Sequence, residues 1–377
     1  MKPRKLPNFF AISAFLFVLS SGHAVYATGN DFTRADGEIS GASFSLFRPE
    51  NWNGDLVLLV HGSIPGEFEA LASELVAGGF GVAFTALPPG SGEGSALKDI
   101  TIATRVVETQ FTSHFGQPGQ TYLFGFSRGA HNMSQLLETS PAKYGGMLSV
   151  CGGNGGTQLQ WDHFFTARIL FDYYFPGVLP GTPERMPPLD LDTFLDTIAP
   201  DIIAAISLNP LAAVEMASVD QYDLRHNDPG ELVSGIVQSL ASHSIGVNDL
   251  LSAANGNPFD NTRINYTGTG DDVALNAGIV RLRADQPARQ YLRVWYEPNG
   301  SVGSTPVLLL HTSRDPVVPE SANNDKYEAL VQSTDNEDFL VRRVVDRFGH
   351  CTFSPAEIAN SFTDLVAWVE AGARPLP

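Results

Sequence analysis

The strongest constraint on the fold is an uninterrupted apolar segment at residues 56–60, Leu-Val-Leu-Leu-Val, bounded by Asp55 and by His61 and Gly62. A strand exposed on one face alternates apolar and polar residues, whereas a strand buried on both faces is apolar throughout. Such strands occur in parallel sheets that are covered by helices on both sides. The segment therefore predicts an α/β fold with a mainly parallel sheet.

The rest of the chain supports this fold with alternating strand and helix patterns. The pattern stops at the glycine-rich segment 152–156 and resumes only with an apolar strand at 307–311. Between them lie helical stretches and proline-rich turns without a convincing strand. We therefore predict an α/β core, residues 28–153 and 299–377, interrupted by a mostly helical cap insertion, residues 154–298. The expected core elements are an edge strand or hairpin arm at 39–46, strands at 81–87, 121–126, 144–150 and 339–345, and helices at 68–76, 101–115, 128–138 and 356–371.

Residues 1–27 have the pattern of a signal peptide. Lys2, Arg4 and Lys5 precede an apolar run at 9–19, and Ala27 suits cleavage. The run is too short to span a bilayer, which needs about 20 apolar residues; the alternative is a buried N-terminal helix. The formal net charge of −18 repels phosphate backbones and anionic lipids. We expect a secreted or periplasmic protein without a nucleic-acid or membrane partner.

A Gly-x-Ser-x-Gly motif at residues 125–129 predicts a nucleophile. It follows an apolar strand and opens a helix, which is the context of a nucleophile elbow. The turn is so sharp that it strains the backbone of Ser127, and glycines two residues away on either side avoid a clash. The alternative is an ordinary strand–helix turn that contains glycine.

A serine hydroxyl needs a base, and in this architecture the acid and then the histidine follow the serine in the chain. His350 is the histidine that lies in a loop beyond the last two strands. Asp315 follows the strand at 307–311 and would orient the imidazole. Asp346 is the competing acid, but it lies close to His350 in sequence. His311 closes a buried strand and is predicted to belong to the core.

The oxyanion of the tetrahedral intermediate needs two N–H donors, each contributing roughly 3–4 kcal/mol. The amide of Arg128, directly after the serine, is one candidate, and the amide of Ser63 in the loop after the first buried strand is the other. His61 is interpreted as a brace for that loop.

The two cysteines of the chain fall at the predicted site. Cys151 ends the strand after the elbow helix and Cys351 adjoins His350, so both lie at the same sheet edge. In an oxidising compartment they predict a disulfide that holds the His350 loop, contributing ~3–5 kcal/mol in the loop-entropy model. The alternative is two buried thiols.

Aromatic residues are concentrated near the start of the cap insertion. They predict a core of the cap itself; the alternative is an apolar pocket for an acyl or alcohol group. The acidic residues nearby are interpreted as helix-terminal charges rather than calcium ligands. No HExxH or paired CxxC motif is present, so no metal or other cofactor is expected. The aromatic residues are Trp161, Phe164, Phe165, Phe171, Tyr173, Tyr174 and Phe175, and the acidic residues are Asp190, Asp192 and Asp196.

Together these motifs resemble the α/β-hydrolase superfamily, in particular secreted bacterial hydrolases described as esterases or peptidases. The resemblance covers nearly all of residues 28–377 and includes the segments 51–54, 151–152, 257–261, 271–278, 315–319 and 349–351. It implies that Ser127, Asp315 and His350 form the catalytic triad. The chain is more distantly similar to tannases and feruloyl esterases, in which a cysteine precedes the nucleophile. Here Phe126 takes that place, so their substrate range is not carried over.

These observations predict a secreted serine hydrolase that cleaves small-molecule or oligomeric carboxylic esters through an acyl-enzyme. Its activity is expected to fall on the acid side as His350 becomes protonated. The alternatives are a serine exopeptidase with the same triad and a binding protein that retains the fold without catalysis.

Overall fold

The computed structural model describes residues 31–39, 42–60, 65–85, 96–219 and 228–377. The predicted signal peptide, His61 and Ser63 lie outside these residues. The strands of the described part are β1 (Phe32–Ile39), β2 (Ala42–Pro49), β3 (Leu56–Val60), β4 (Gly81–Thr85), β5 (Thr121–Phe126), β6 (Gly146–Val150), β7 (Val307–Arg314) and β8 (Leu340–Phe348).

These strands form one sheet in the order β1-β2-β4-β3-β5-β6-β7-β8. β1 pairs antiparallel with β2, and β2 pairs antiparallel with β4. The remaining neighbours are parallel. The mainly parallel sheet predicted from the sequence is thus confirmed, and the C-terminal ends of β3 and β5–β8 meet at one edge.

Helices cover both faces of the sheet. The α-helices of the described part are α1 (Pro65–Ala77), α2 (Ala96–Phe115), α3 (Arg128–Thr139), α4 (Thr157–Tyr174), α5 (Leu191–Thr193), α6 (Ala199–Leu208), α7 (Pro210–Ser218), α8 (Pro229–Ala254), α9 (Asp272–Gly278), α10 (Gln286–Val294), α11 (Glu320–Ser333) and α12 (Pro355–Ala371). A π-helical turn, Phe194–Ile198, joins α5 to α6, and 3-10 turns occupy Pro141–Lys143 and Glu337–Phe339.

The apolar sequence of β3 follows from this layering. Leu56 and Leu58 pack with residues of α2, α3 and α11 on one face of the sheet. Val57 and Leu59 pack with residues of α1 and α12 on the other. Successive side chains of a strand point to opposite faces, so a strand between two helical layers needs apolar residues at every position.

Residues 154–298, the helical insertion, contain α4–α10 and no sheet strand among their described residues. The insertion has a hydrophobic core of its own, built on α4 and α8. Its N-terminal aromatic residues lie in or against that core, as the sequence predicted, and Phe165 stacks on Phe259 with ring centroids 5.0 Å apart. Two valines that follow β7, Val317 and Val318, are buried in the same core.

The acidic residues of the insertion lie at helix starts, as predicted: Asp190 is an N-cap, and Asp192 and Asp196 lie in first helical turns. The Asp190 carboxylate accepts the amide of Thr193 at 2.8 Å, at the start of α5. Ser354 and Glu357 form a reciprocal capping box at the start of α12.

No single described helix has the length and hydropathy to cross a membrane. One bent pair, Leu191–Leu208 with Pro210–Ser218, meets those criteria by length and composition, with an angle of 99° between its parts.

Candidate active site

Ser127 occupies the turn between β5 and α3. The change of direction leaves it with φ 51° and ψ −121°, a conformation that costs a residue with a Cβ about 1–3 kcal/mol. Its amide donates to the carbonyl of Val150 at 2.8 Å, and its carbonyl accepts the amide of His131 at 3.2 Å. The strained turn is therefore held on both sides, by β6 and by the first turn of α3.

Gly125 permits this turn. A Cβ on Gly125 would lie 2.5 Å from the amide nitrogen of Ala130 and 2.6 Å from its Cα. Both atoms belong to the helix backbone, which cannot move aside without displacing α3. The glycine is required because strand and helix approach this closely.

The structure brings Ser127, His350 and Asp315 together at the C-terminal edge of the sheet. Ser127 Oγ lies 2.8 Å from His350 Nε2, and His350 Nδ1 lies 2.7 Å from Asp315 Oδ2. Asp315 directly follows β7, and His350 follows β8 after one glycine. Because these strands run parallel to β5, their ends reach the same edge, so residues 223 positions apart come within hydrogen-bond distance.

Asp315 is fully buried, and both of its carboxylate oxygens face hydrogen-bond donors. Its Oδ1 accepts the amides of Val317 and Val318, each at 2.9 Å, while Oδ2 faces His350. Burial alone would raise the pKa of Asp315. The His350 ring, together with hydrogen bonds from His311 and His350, outweighs burial and holds the pKa well below its usual range. The carboxylate is therefore ionised at neutral pH.

Asp346, the competing acid from the sequence, points elsewhere. Its Oδ1 accepts the hydroxyl of Ser313 at 3.0 Å and pairs with Arg314, and its side chain is 89% exposed. The structure thus places Asp315, rather than Asp346, against the imidazole.

Cys151 and Cys351 are joined by a disulfide with Cα atoms 5.3 Å apart. Cys351 Sγ lies 3.6 Å from His350 Nε2, so the bond ties the histidine loop to the end of β6. In the part of the chain that the structure describes, five non-glycine residues have positive φ, and Ser127, Cys151 and Cys351 are three of them. Backbone strain of this kind concentrates at functional sites.

These sulfur atoms and an imidazole nitrogen of His350 lie within 4.8 Å of one another. Cysteine binds metal ions as thiolate, and here the two sulfurs are bonded to each other. The cluster is a disulfide beside an imidazole and lacks the donor chemistry of a metal site.

The structure describes one of the two candidate oxyanion donors, the amide of Arg128. Arg128 is the first residue of α3, so its amide belongs to the helix N-terminus beside Ser127, where amides have no acceptor within the helix. Ser63 lies outside the described residues. The pairing of these two donors therefore stays a prediction.

His311 has a role that the sequence analysis missed. It is buried, as predicted, but its Nε2 lies 3.4 Å from Asp315 Oδ2 and 2.9 Å from the carbonyl of Val318. The side-chain amide of Asn324 faces Nδ1 at 3.3 Å. The signal in the sequence is the spacing of four residues between a histidine at the predicted strand end and Asp315.

Comparison with known proteins gives the class of fold. No protein-family model matches the chain. It is 23% identical to the o-phthalyl amidase of Xanthobacter agilis, over 91% of this chain and 89% of that protein. Its structure is similar to that of feruloyl esterase B from Aspergillus oryzae, with a TM-score of 0.52 and 14% identity, over 91% of this chain and 82% of that one. The chain has the α/β-hydrolase fold.

Proposed function

We propose that the protein is a secreted serine hydrolase that cleaves carboxylic esters through an acyl-enzyme. The observation that carries the proposal is the hydrogen-bonded series from Ser127 Oγ to His350 to Asp315, with distances of 2.8 and 2.7 Å. The fold shared with a feruloyl esterase and the distant amidase relative support hydrolysis of an acyl bond.

In the proposed reaction, Ser127 Oγ attacks the ester carbonyl while His350 Nε2 takes its proton. The amides of Arg128 and Ser63 hold the oxyanion of the tetrahedral intermediate. The imidazolium then protonates the departing alcohol, which leaves the acyl group on Ser127. A water molecule then attacks the acyl group while His350 takes its proton. The carboxylic acid product is released, and the proton returns to Ser127 Oγ. Asp315, kept ionised, holds Nδ1–H and stabilises the imidazolium throughout.

The helical insertion, in this proposal, is the cap of the catalytic core and borders the substrate site. Residues 1–27 are the proposed signal peptide. Sequencing the N-terminus of protein recovered from the periplasm or medium tests export, and a chain that begins at Thr28 is the expected product.

The proposal is tested with a fluorophosphonate probe and a soluble p-nitrophenyl ester. The probe should label Ser127 on peptide mapping, and Ser127→Ala should lower ester hydrolysis by at least about 10³-fold. Hydrolysis by Ser127→Ala at the wild-type rate would contradict the proposed mechanism.

Amide cleavage is the second candidate, because the curated relative is an amidase. The same three residues serve it if His350 protonates the leaving nitrogen. Parallel assays with an ester and an anilide of the same acyl group separate the two activities. A further pair of anilides with free and blocked α-amino groups tests the exopeptidase form.

A further inference from the structure

The helical insertion holds the turn that carries Asp315. Three consecutive carbonyls of this turn, at residues 316–318, each accept a hydrogen bond from a side chain, and the insertion supplies three of the four donors. The contacts are His163 Nε2 to Pro316 at 2.9 Å, Ser239 Oγ to Pro316 at 2.7 Å, Gln160 Nε2 to Val317 at 2.6 Å and His311 Nε2 to Val318 at 2.9 Å.

The amides of this turn face Asp315, and two of its carbonyls face the insertion. The amides of Val317 and Val318 donate to Asp315 Oδ1. The carbonyls of Pro316 and Val317, which share peptide units with those two amides, accept from the side chains of the insertion. Peptide units are rigid, so fixing a carbonyl also fixes the direction of the amide across the same peptide plane. The donors thereby determine where the amides hold the carboxylate.

Apolar packing also holds this turn against the insertion. Val317 and Val318 are 6% and 4% exposed and belong to the hydrophobic core of the insertion. The turn between β7 and α11 is therefore packed into the insertion, although it begins at the end of a sheet strand.

His163 supplies its donor without adding charge. Burial lowers the pKa of His163 to about 4, although the Pro316 carbonyl and Asp315 oppose the shift. The ring is therefore neutral at pH 7. A carbonyl only accepts, so the nitrogen facing Pro316 carries the proton and the ring donates from Nε2.

We propose that His163, Ser239 and Gln160 of the helical insertion are positioning residues for the catalytic acid, and that the insertion thereby completes the triad. This inference rests on the proposed function. Its mechanical consequence is that α4 and α8 stay in place during turnover, because moving them away would displace Asp315 from His350.

The test uses the whole enzyme and the rate at which the fluorophosphonate labels Ser127, which reports the activated hydroxyl without knowledge of the substrate. Ser239→Ala removes one donor. Ser242→Ala is the matched control, because Ser242 lies on the same helix and its hydroxyl donates to the carbonyl of Gln238 within that helix. His163→Leu removes the second donor, whereas His163→Gln places an amide N–H near the position of Nε2.

We expect Ser239→Ala and His163→Leu each to slow labelling by about 3- to 10-fold, and the double variant by about 10- to 100-fold. His163→Gln should retain more than about a third of the rate, and Ser242→Ala should stay within about twofold of wild type. On the p-nitrophenyl ester, kcat should fall while KM changes by less than about twofold. The acid limb of the pH profile should move to lower pH, because a displaced Asp315 stabilises the His350 imidazolium less.

Wild-type labelling by the folded double variant would overturn the inference. The inference would also be overturned if the labelling rate fell only in proportion to the unfolded fraction and the pH profile did not change. These residues would then contribute to packing alone. Failure of the proposed function has a different signature, namely an active Ser127→Ala variant or an unlabelled wild type. In that event, the low-field proton resonance of the His350 Nδ1–H decides the inference, since it must shift or broaden in the double variant if the insertion positions Asp315.

Discussion

The turns that carry Ser127 and Asp315 lie at the same edge of the sheet but are held by different parts of the chain. The Ser127 turn relies on backbone contacts with neighbouring segments, such as the bond to the Val150 carbonyl. The Asp315 turn relies on side chains that lie 77 to 157 positions away in sequence. The geometry at Ser127 is thus encoded locally, whereas the geometry at Asp315 depends on contacts with an insertion that has no recognisable motif.

The largest effect is expected from Asp315→Asn. The amide cannot accept on both sides as the carboxylate does, and it no longer stabilises an imidazolium. We expect kcat on a p-nitrophenyl ester to fall by about 10³- to 10⁴-fold with the fold retained. Steady-state kinetics with circular dichroism measure both.

The matched control is Asp346→Asn, which removes an exposed carboxylate from the same region. Its activity should stay within about twofold of wild type, and its unfolding midpoint should be close to that of wild type because surface ion pairs contribute little to stability. If Asp346→Asn lost more activity than Asp315→Asn, the assignment of Asp315 as the acid would be wrong.

The disulfide joins the end of β6, beside the Ser127 turn, to the loop that carries His350. Its cysteines are 200 positions apart, so the double variant Cys151→Ser/Cys351→Ser should lose ~3–5 kcal/mol of unfolding free energy. Urea denaturation of the wild type and the double variant measures this difference in unfolding free energy. Equal midpoints and slopes would show that the bond does not constrain the unfolded chain.

Gly125→Ala tests the local encoding of the Ser127 turn. The new Cβ meets the backbone of α3 at 2.5 Å, and we expect a loss of ~1–3 kcal/mol together with much slower labelling of Ser127. Gly119→Ala is the comparison, since its nearest neighbour is a side-chain oxygen of Asp55 at 3.3 Å. Thermal unfolding would contradict the argument if both variants melted alike.

The smallest predicted effect concerns acid stability of the insertion. Burial, with the charge of Arg168, lowers the pKa of His243 to about 3, while the unfolded chain takes up this proton below about pH 6.5. The folded state binds fewer protons in this window, so stability falls as the pH drops.

His243→Gln removes this proton uptake while an amide can still donate to the carbonyl of Pro183, the partner of Nε2 at 2.9 Å. Between pH 7 and pH 5, wild type should lose ~2 kcal/mol more stability than the variant, as measured by urea midpoints. An identical pH dependence in His243→Gln and wild type would refute the assignment.

Much of the sheet could be predicted from the sequence, because strands buried on both faces have continuous apolar segments. The strand predicted at 121–126 coincides with β5, and the predicted helix at 128–138 ends one residue before α3 does. Strand ends were less accurate. β7 was expected to stop at His311 but continues to Arg314, since pairing with β8 persists beyond the apolar part.

The contacts around Asp315 could not be predicted. Hydrogen bonds from His163 and Ser239 to a proline carbonyl leave no periodic pattern, and they depend on how α4 and α8 pack in the folded chain. His311 was assigned to the core from its place at the end of a strand. That assignment describes its burial but overlooks its contact with the acid.

Trapping the acyl-enzyme tests the central claim most directly. The enzyme is mixed with a p-nitrophenyl ester, quenched in acid within the first turnovers, and mapped by mass spectrometry. The account predicts a mass increase equal to the acyl group on the peptide that contains Ser127, and none in Ser127→Ala. An acyl group on another residue, or rapid turnover in Ser127→Ala, would contradict it.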